Sequence, residues 1–465
     1  MNVRALSGLI ATAFLFYSHI ALSGTRTFLD PRSMSMGGAG VASSTKFNAS
    51  YHNPAMIAFN RGERPDKVYI SASLGAREIY NHDMEDAVRA YQVNGSEIEQ
   101  AFIDAFESNG EEGDEGGQTD QELEEIRQEQ LQVTHTLQNR LRDIHLVSYR
   151  QDETSAFSLL VDTRPVTMNF YTRIDRREMM VIRNTDDWLM QQAIDLANEV
   201  PDTEPLPPEL AKILSSSVDY VTFEIREFGV TAGSTAVVAY NMPVSWGFSP
   251  KLMHMNASHF RTGLREFDPA NPSYSRPSED LLEWNFDIGF AMLLTNDFLN
   301  EGLGLDGWWL DGEWVIGISG INTFPTDFTP FTPSSRDVFR NQIITGNTYN
   351  YPAMKRGILP LYRMGIANYR EDYMFTIDMD LAEREVWDFE GLTRFLSIGG
   401  EYYLREDLHL RGGARFNVAQ TNVGGKDKAI FTTGLMYQPN HFSIEAAMML
   451  NELEMGGTVG ISVAF

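Results

Sequence analysis

Charged residues stand at alternate positions inside otherwise apolar runs of this chain: Arg363, Asp378, Asp380, Glu401, Arg411, Arg415 and Glu445. In the stretch 373–381, Tyr373, Phe375, Ile377 and Met379 alternate with Met374, Thr376, Asp378 and Asp380. Period-two alternation sends the two sets to opposite faces of a strand. Two chemistries fit such charges. Opposite signs on neighbouring antiparallel strands can pair across the sheet, or the charges can line a polar path, and the sequence leaves both open. Other chemistry is poorly supplied. None of the nine histidines sits in a Gly-x-Ser-x-Gly or His-Glu-x-x-His context. The chain has no cysteine, which excludes thiol redox chemistry, Cys–zinc sites and a lipidated cysteine anchor. No enzyme activity, metal or cofactor is expected.

The elements that must carry these charges are strands. Similar alternation marks 284–292, 314–319, 442–448 and 458–465. Counting back from the C-terminus gives about fourteen strands, an even number that suits an antiparallel transmembrane β-barrel. With both ends on the periplasmic side, the connections should alternate long and short. Long ones fall at 77–141, 175–217, 265–281 and 322–359, and short ones at Gln151–Thr154, Arg370–Asp372, Leu404–Asp407 and Gln438–His441. The connection 295–311 is longer than a periplasmic turn should be. Trp308, Trp309 and Trp314 beside it read as part of an interfacial aromatic girdle. The loop 77–141 concentrates acidic residues, with helical flanks expected at Ser96–Phe106 and Gln121–Leu141. The loop 175–217 reads as partly helical around Asp187–Asn198 and Pro208–Ser215. No EF-hand spacing occurs in the acidic loop.

The ends define the class. Arg4, the apolar run 9–17 and the small residues Ala21 and Ser23 read as a signal peptide, 1–23, cleaved before Gly24. The last strand places Val459, Ile461, Val463 and Phe465 on one face, and a terminal Phe465 on such a strand resembles the signal by which bacterial outer-membrane proteins are handed to the barrel-assembly machinery. Formal net charge is −27, which speaks against nucleic-acid binding through a basic surface. A mean hydropathy of −0.27 is what alternating lipid-facing and lumen-facing residues average to. The expected organisation is an exported chain in a Gram-negative outer membrane: 24–65 as an N-terminal hatch, 66–465 as the barrel, outer-membrane lipid around it.

One strand carries an anomaly. In the third expected strand, 155–174, Phe157, Leu159 and Val161 set an odd-numbered lipid face, whereas Val166, Met168 and Phe170 set an even-numbered one. The phase flips at Arg164–Pro165. A bulge or kink there would do it, and proline cannot donate to the ladder; two short segments meeting at a corner would do it too.

Before the first strand lies Asp30-Pro-Arg-Ser-Met-Ser-Met-Gly37-Gly38-Ala-Gly40-Val-Ala, followed by Asn53-Pro54-Ala55. Asp30–Pro31 is an N-cap and first-turn pair. The run resembles the N-terminal hatch of FadL-type barrels, which carry long-chain fatty acids and other hydrophobic compounds across the outer membrane. The ordered segments Trp246–Lys251, Asn285–Gly289, Arg363–Tyr369, Ile377–Leu381, Gly399–Tyr402 and Leu410–Arg415 sharpen the resemblance toward the TraF-like exported barrels, often labelled conjugal transfer proteins. The resemblance implies passive transport of a small hydrophobic molecule, with Gly37, Gly38, Gly40, Asn53, Pro54 and Ala55 in the plug. It also implies a wall gap at the third strand, by Arg164–Pro165. The alternative it leaves is an accessory barrel whose loops dock conjugation or secretion proteins.

Overall fold

A computed structural model describes residues 30–59, 68–81, 100–105, 120–143, 148–163, 166–183, 186, 190–195, 216–263, 278–295, 298–305, 307, 311–328, 356–387, 390–419 and 429–465. Fourteen strands close into one antiparallel barrel. They are β1 (Val68–Asn81), β2 (Ser148–Thr163), β3 (Val166–Arg183), β4 (Ser217–Val237), β5 (Pro243–Gly263), β6 (Ser278–Leu294), β7 (Glu313–Ile321), β8 (Leu361–Tyr369), β9 (Tyr373–Asp380), β10 (Phe395–Arg405), β11 (Leu408–Asn417), β12 (Ile430–Tyr437), β13 (Phe442–Leu450) and β14 (Glu454–Ala464). Two small hairpins, Thr326–Phe328 with Arg356–Ile358 and Arg384–Trp387 with Glu390–Thr393, stand outside the barrel sheet.

The alternation decides which face meets lipid. Leu74, Phe157, Phe170, Phe228, Phe248, Trp284, Phe290, Phe375, Phe431 and Val459 all point outward and are exposed, Trp284 at 72 %. An exposed apolar surface of this extent is stable only in hydrocarbon. Strands β7 to β14 have 8–11 residues, near the length a tilted transmembrane strand needs. Strands β2 to β6 have 16–21 and project past the lipid. Their outward face turns polar accordingly: Arg176 pairs with Glu178 at 2.8 Å and Arg226 with Glu224 at 2.6 Å, both arginines half exposed.

The barrel closes where the C-terminal strand was expected to act. β14 lies along β1 from Tyr69 opposite Ala464 to Ile79 opposite Glu454, and the Phe465 amide donates to Val68 O at 2.9 Å. Long and short connections alternate as parity requires except at two places: 295–312 remains long, with a π-type turn over Phe298–Gly302, and the outer connection 451–453 is short.

Three expectations change. Gln151–Thr154 is not a turn but the middle of β2, paired with β1 and β3. The expected third strand was therefore out of frame: β2 runs to Thr163 and β3 starts at Val166, with Thr163 opposite Val166. Arg164 and Pro165 themselves lie outside the described residues, but their neighbours pair regularly, so the phase flip is the passage from one strand to the next and not a kink within a strand. Polar Gln151, Asp152, Glu153 and Thr154 resembled a turn because they belong to the part of β2 that rises above lipid. Among the loops, residues 100–105 and 190–195 are helical and a longer helix covers Asp120–Asp143, packed through Phe102, Leu137 and Leu141. Residues 110–117 and 208–215, Trp308, Trp309 and the signal peptide lie outside the described residues.

Candidate functional site

Residues 30–59 lie inside the barrel, almost wholly buried. Helix α1 (Pro31–Ser35) is capped by Asp30, whose carboxylate accepts from Ser33 N at 3.1 Å. The same carboxylate accepts from Asn48 Nδ2 at 2.9 Å and meets His52 Nε2 at 2.5 Å, so one acid fastens α1 to helix α2 (Ala49–His52). Burial works against ionising Asp30, but His52 and the Ser33 donors outweigh it and hold the carboxyl below its ordinary range. Asn53 then caps a 3₁₀ turn, Pro54–Ala58, accepting from Ala55 N at 3.1 Å.

This segment circles the inner wall against chain order and meets a glycine on nine of the fourteen strands. Pro31 packs on Gly460 of β14, Ser35 on Gly434 of β12, and Met36–Gly37 on Gly413 of β11 and Gly399 of β10. Val41 packs on Gly365 of β8 and Gly317 of β7, Asn53 on Gly289 of β6, Pro54 on Gly247 of β5, and Ile57 on Gly233 of β4. A methyl group at Gly317 would lie 2.6 Å from the Val41 carbonyl oxygen. Several of these glycines face one another across the ladder: Gly233 and Gly247, Gly247 and Gly289, Gly317 and Gly365, Gly399 and Gly413. They form a belt at one level of the barrel, and their lack of side chains lets hatch backbone reach wall backbone. On the hatch, Gly37 is needed for a different reason, its φ of +69°. Sequence reasoning missed the belt, although glycines at inward parity, one on each of nine strands, were its signal. Strands β9 and β13 carry no glycine, and β1 to β3 also lack the belt and meet the hatch through side chains: Phe47 edge-on to Tyr69, Tyr51 edge-on to Tyr171, and Lys46 paired with Asp162 at 3.0 Å.

The lumen charges join this contact. Glu401 takes Arg411 Nε at 2.8 Å from the wall and, through both its oxygens, Arg32 of the hatch at 3.0 and 2.7 Å. Arg411 also pairs with Glu445. Burial disfavours the Arg32 cation, yet Glu401 overrides it and raises the guanidinium pKa. Asp378 accepts from Gly40 N at 2.6 Å and Val41 N at 2.8 Å, and Arg363 donates to Gly38 O at 3.0 Å. Arg363 pairs with Asp380 at 3.2 Å, as does Arg384 at 2.9 Å. The charges read from alternation thus form an ion-pair ladder into which the hatch is spliced. Arg415 is the exception, stacked on Phe395 with 3.5 Å from its Cζ to the ring centroid.

Past the hatch, two features share strands β4 to β6. Inward-facing Met253, Met255, Phe223, Ile225 and Leu281 pack with Ile358 from the outer hairpin into a buried apolar cluster. Below it the β4–β5 ladder is interrupted: pairing stops at Gly229 opposite Lys251 and resumes at Ala232 opposite Phe248. The cause is Pro250, which has no N–H to give. Behind the interruption the Thr231 hydroxyl reaches Ser249 and the hatch Ser50, both at 2.7 Å. The rule applied to Pro165 therefore belongs to Pro250, which stood inside the segment Trp246–Lys251. Among the described residues no group of three His, Cys, Asp or Glu could hold a metal ion.

A family model described as "F plasmid transfer operon, TraF, protein" matches residues 50–305, more than half of the chain, from α2 through β6. The chain belongs to this TraF family. No curated protein matches it. Among solved structures, it is similar to the "TodX deltaS2S3 mutant monoaromatic hydrocarbon channel", at 13 % identity over 96 % of this chain and 100 % of that one, TM-score 0.48. It is also similar to a Pseudomonas aeruginosa FadL homologue, at 11 % identity over 96 % and 99 %, TM-score 0.48. The Ralstonia pickettii toluene transporter TbuX follows at 12 % over 96 % and 99 %, TM-score 0.35. These are likenesses of barrel fold and do not name a ligand for the TraF-family chain.

Proposed function

We propose that this TraF-family barrel resides in the outer membrane of a Gram-negative cell and passes small hydrophobic molecules without an energy source. One observation carries the reading: a buried apolar cluster on the inner face of β4 to β6, closed by Ile358, stands above a break in the same wall at Pro250. Inward faces of membrane barrels are ordinarily polar. Methionine and phenylalanine there suit an apolar solute of varied shape. An unpaired backbone group costs several kcal/mol in hydrocarbon, so the wall is weakest at Val230–Thr231. Beside that point sit the hatch residues Ser50 and Pro54. The solute collects on the methionines and leaves sideways into lipid, while the belt holds the hatch in place. Replacing Pro250 with valine restores a donor. Uptake of an apolar probe should fall in the Pro250→Val barrel while heat-modifiable assembly stays intact; unchanged uptake would remove this route.

The second reading, an accessory barrel of conjugal transfer or secretion, draws on the fit of the hatch. Where α1 meets strands β1, β2 and β14, hatch and wall leave a cavity of ≈ 40 Å³ between them, bounded by Asp30, Arg32, Phe47, Ser71 and Ser462. It predicts no probe uptake by either form.

A further inference from the structure

Among the described residues, the luminal charges read from the alternation are matched, with one exception. Arg415 faces inward near the outer end of β11, opposite Ser397 of β10. Its stem passes 3.9 Å from the point a side chain on hatch Gly38 would occupy. Its guanidinium carbon lies over the Phe395 ring, and its buried Nε has no hydrogen-bond acceptor. The carboxylates that act on it, Asp380 and Glu454, are committed elsewhere: Asp380 to Arg363 and Arg384, Glu454 to Arg77 at 2.9 Å. The other charges that act on it, Arg77 and Arg363, share its sign.

A guanidinium that serves only as filler is a poor choice at such a place. An apolar side chain would cover Phe395 without the cost of a buried, unanswered donor. Stacking fixes the plane of the fork and leaves its edge free, which is the arrangement that reads a planar or tetrahedral oxyanion through two parallel hydrogen bonds. β11 lies on the far side of the lumen from β5, so an apolar molecule seated on Met253 and Met255 does not reach this edge.

We propose that Arg415, backed by Phe395, is an oxyanion-binding point in the upper lumen, separate from the apolar cluster, and that it takes a carboxylate or phosphate group. The group can belong to a small organic acid or to free inorganic phosphate. The binding is strongest at low ionic strength, since salt screens the attraction between the guanidinium and an oxyanion.

Isothermal titration of the full, detergent-folded barrel with sodium benzoate and, separately, inorganic phosphate tests this. Binding of either is expected, weakened about tenfold or more in Arg415→Gln, as loss of a charge-assisted bond implies, and unchanged in Arg176→Gln on the outer wall. Arg415→Lys keeps the charge but not the fork and should fall between. Heat-modifiable migration of each variant verifies folding, and Phe395→Leu gives a second variant that weakens binding without touching the charge. Benzoate alone identifies an organic acid, and phosphate alone a free oxyanion. No binding of either, or equal binding by Arg415→Gln, overturns the proposal. The Pro250→Val barrel should titrate normally, so failure here leaves the hydrophobic route untouched, and the converse.

Discussion

Gly412 and Gly413 are neighbours in β11 that face opposite ways, and they make the belt testable by a single methyl group. At Gly413 an added Cβ would land against the hatch main chain, the Met36 carbonyl carbon and, at 2.6 Å, Gly37 N. Main-chain atoms cannot rotate away. At Gly412 the nearest atom would be Thr432 O at 3.9 Å, ordinary contact. Both Gly→Ala changes gain the same strand entropy, so the difference between them isolates hatch docking. Overpacking a well-filled site costs about 1–3 kcal/mol, which shifts the ratio of docked to undocked hatch by about 5–150-fold. Trypsin reads that ratio, because Arg32 and Lys46 are buried at 6 % and 3 % exposure when the hatch is docked. Folded Gly413→Ala barrel should be cut at these two residues much faster than Gly412→Ala, which should match the unmodified protein. Equal cleavage of the two variants would refute the close approach of hatch and wall.

Other perturbations act on the same contact. Arg32→Gln leaves Glu401 with wall partners only and removes a bidentate pair; breaking a buried pair costs about 3–5 kcal/mol, and amide hydrogen exchange across 30–52 should rise while the barrel strands stay protected. Because the Asp30 carboxyl is held below its ordinary range, its contribution to hatch docking is present above the usual carboxylate pKa of about 4. That contribution is lost only as pH falls through the lower folded value; exchange of α1 that rises already between neutral pH and about pH 5 would contradict this. Deleting Phe465 removes the backbone pair with Val68 and should lower the yield of heat-modifiable barrel; full yield would show that the closing strand needs no terminal residue.

The fold was legible because a membrane wall obeys one rule, alternation, and that rule is written in every strand from β6 to β14. The number of strands, the closing partner of β14 and the inward charges all follow from it. It failed at β2 and β3, where the strands outrun the lipid. There the outward residues become Gln151 and Glu153, and a polar, turn-like composition inside a strand cannot be told from a turn without its partners. The hatch was legible at its first cap, Asp30–Pro31, where local chemistry suffices. Its path around the belt was not, since nothing in one strand says which glycine meets which hatch residue. Arg32–Glu401 was invisible for the same reason: its two halves are joined by tertiary structure alone. Pro250 was visible but was passed over for Pro165, because the phase flip drew attention to the wrong proline.

Whole-cell uptake decides the central claim. Initial rates for a labelled neutral monoaromatic compound should be compared with those for a sugar of similar size, in Gram-negative cells with and without the chain. The account predicts faster entry of the aromatic compound with the chain present, no change for the sugar, and loss of the gain in Pro250→Val. Equal entry with and without the chain, or equal gains for both solutes, would contradict it.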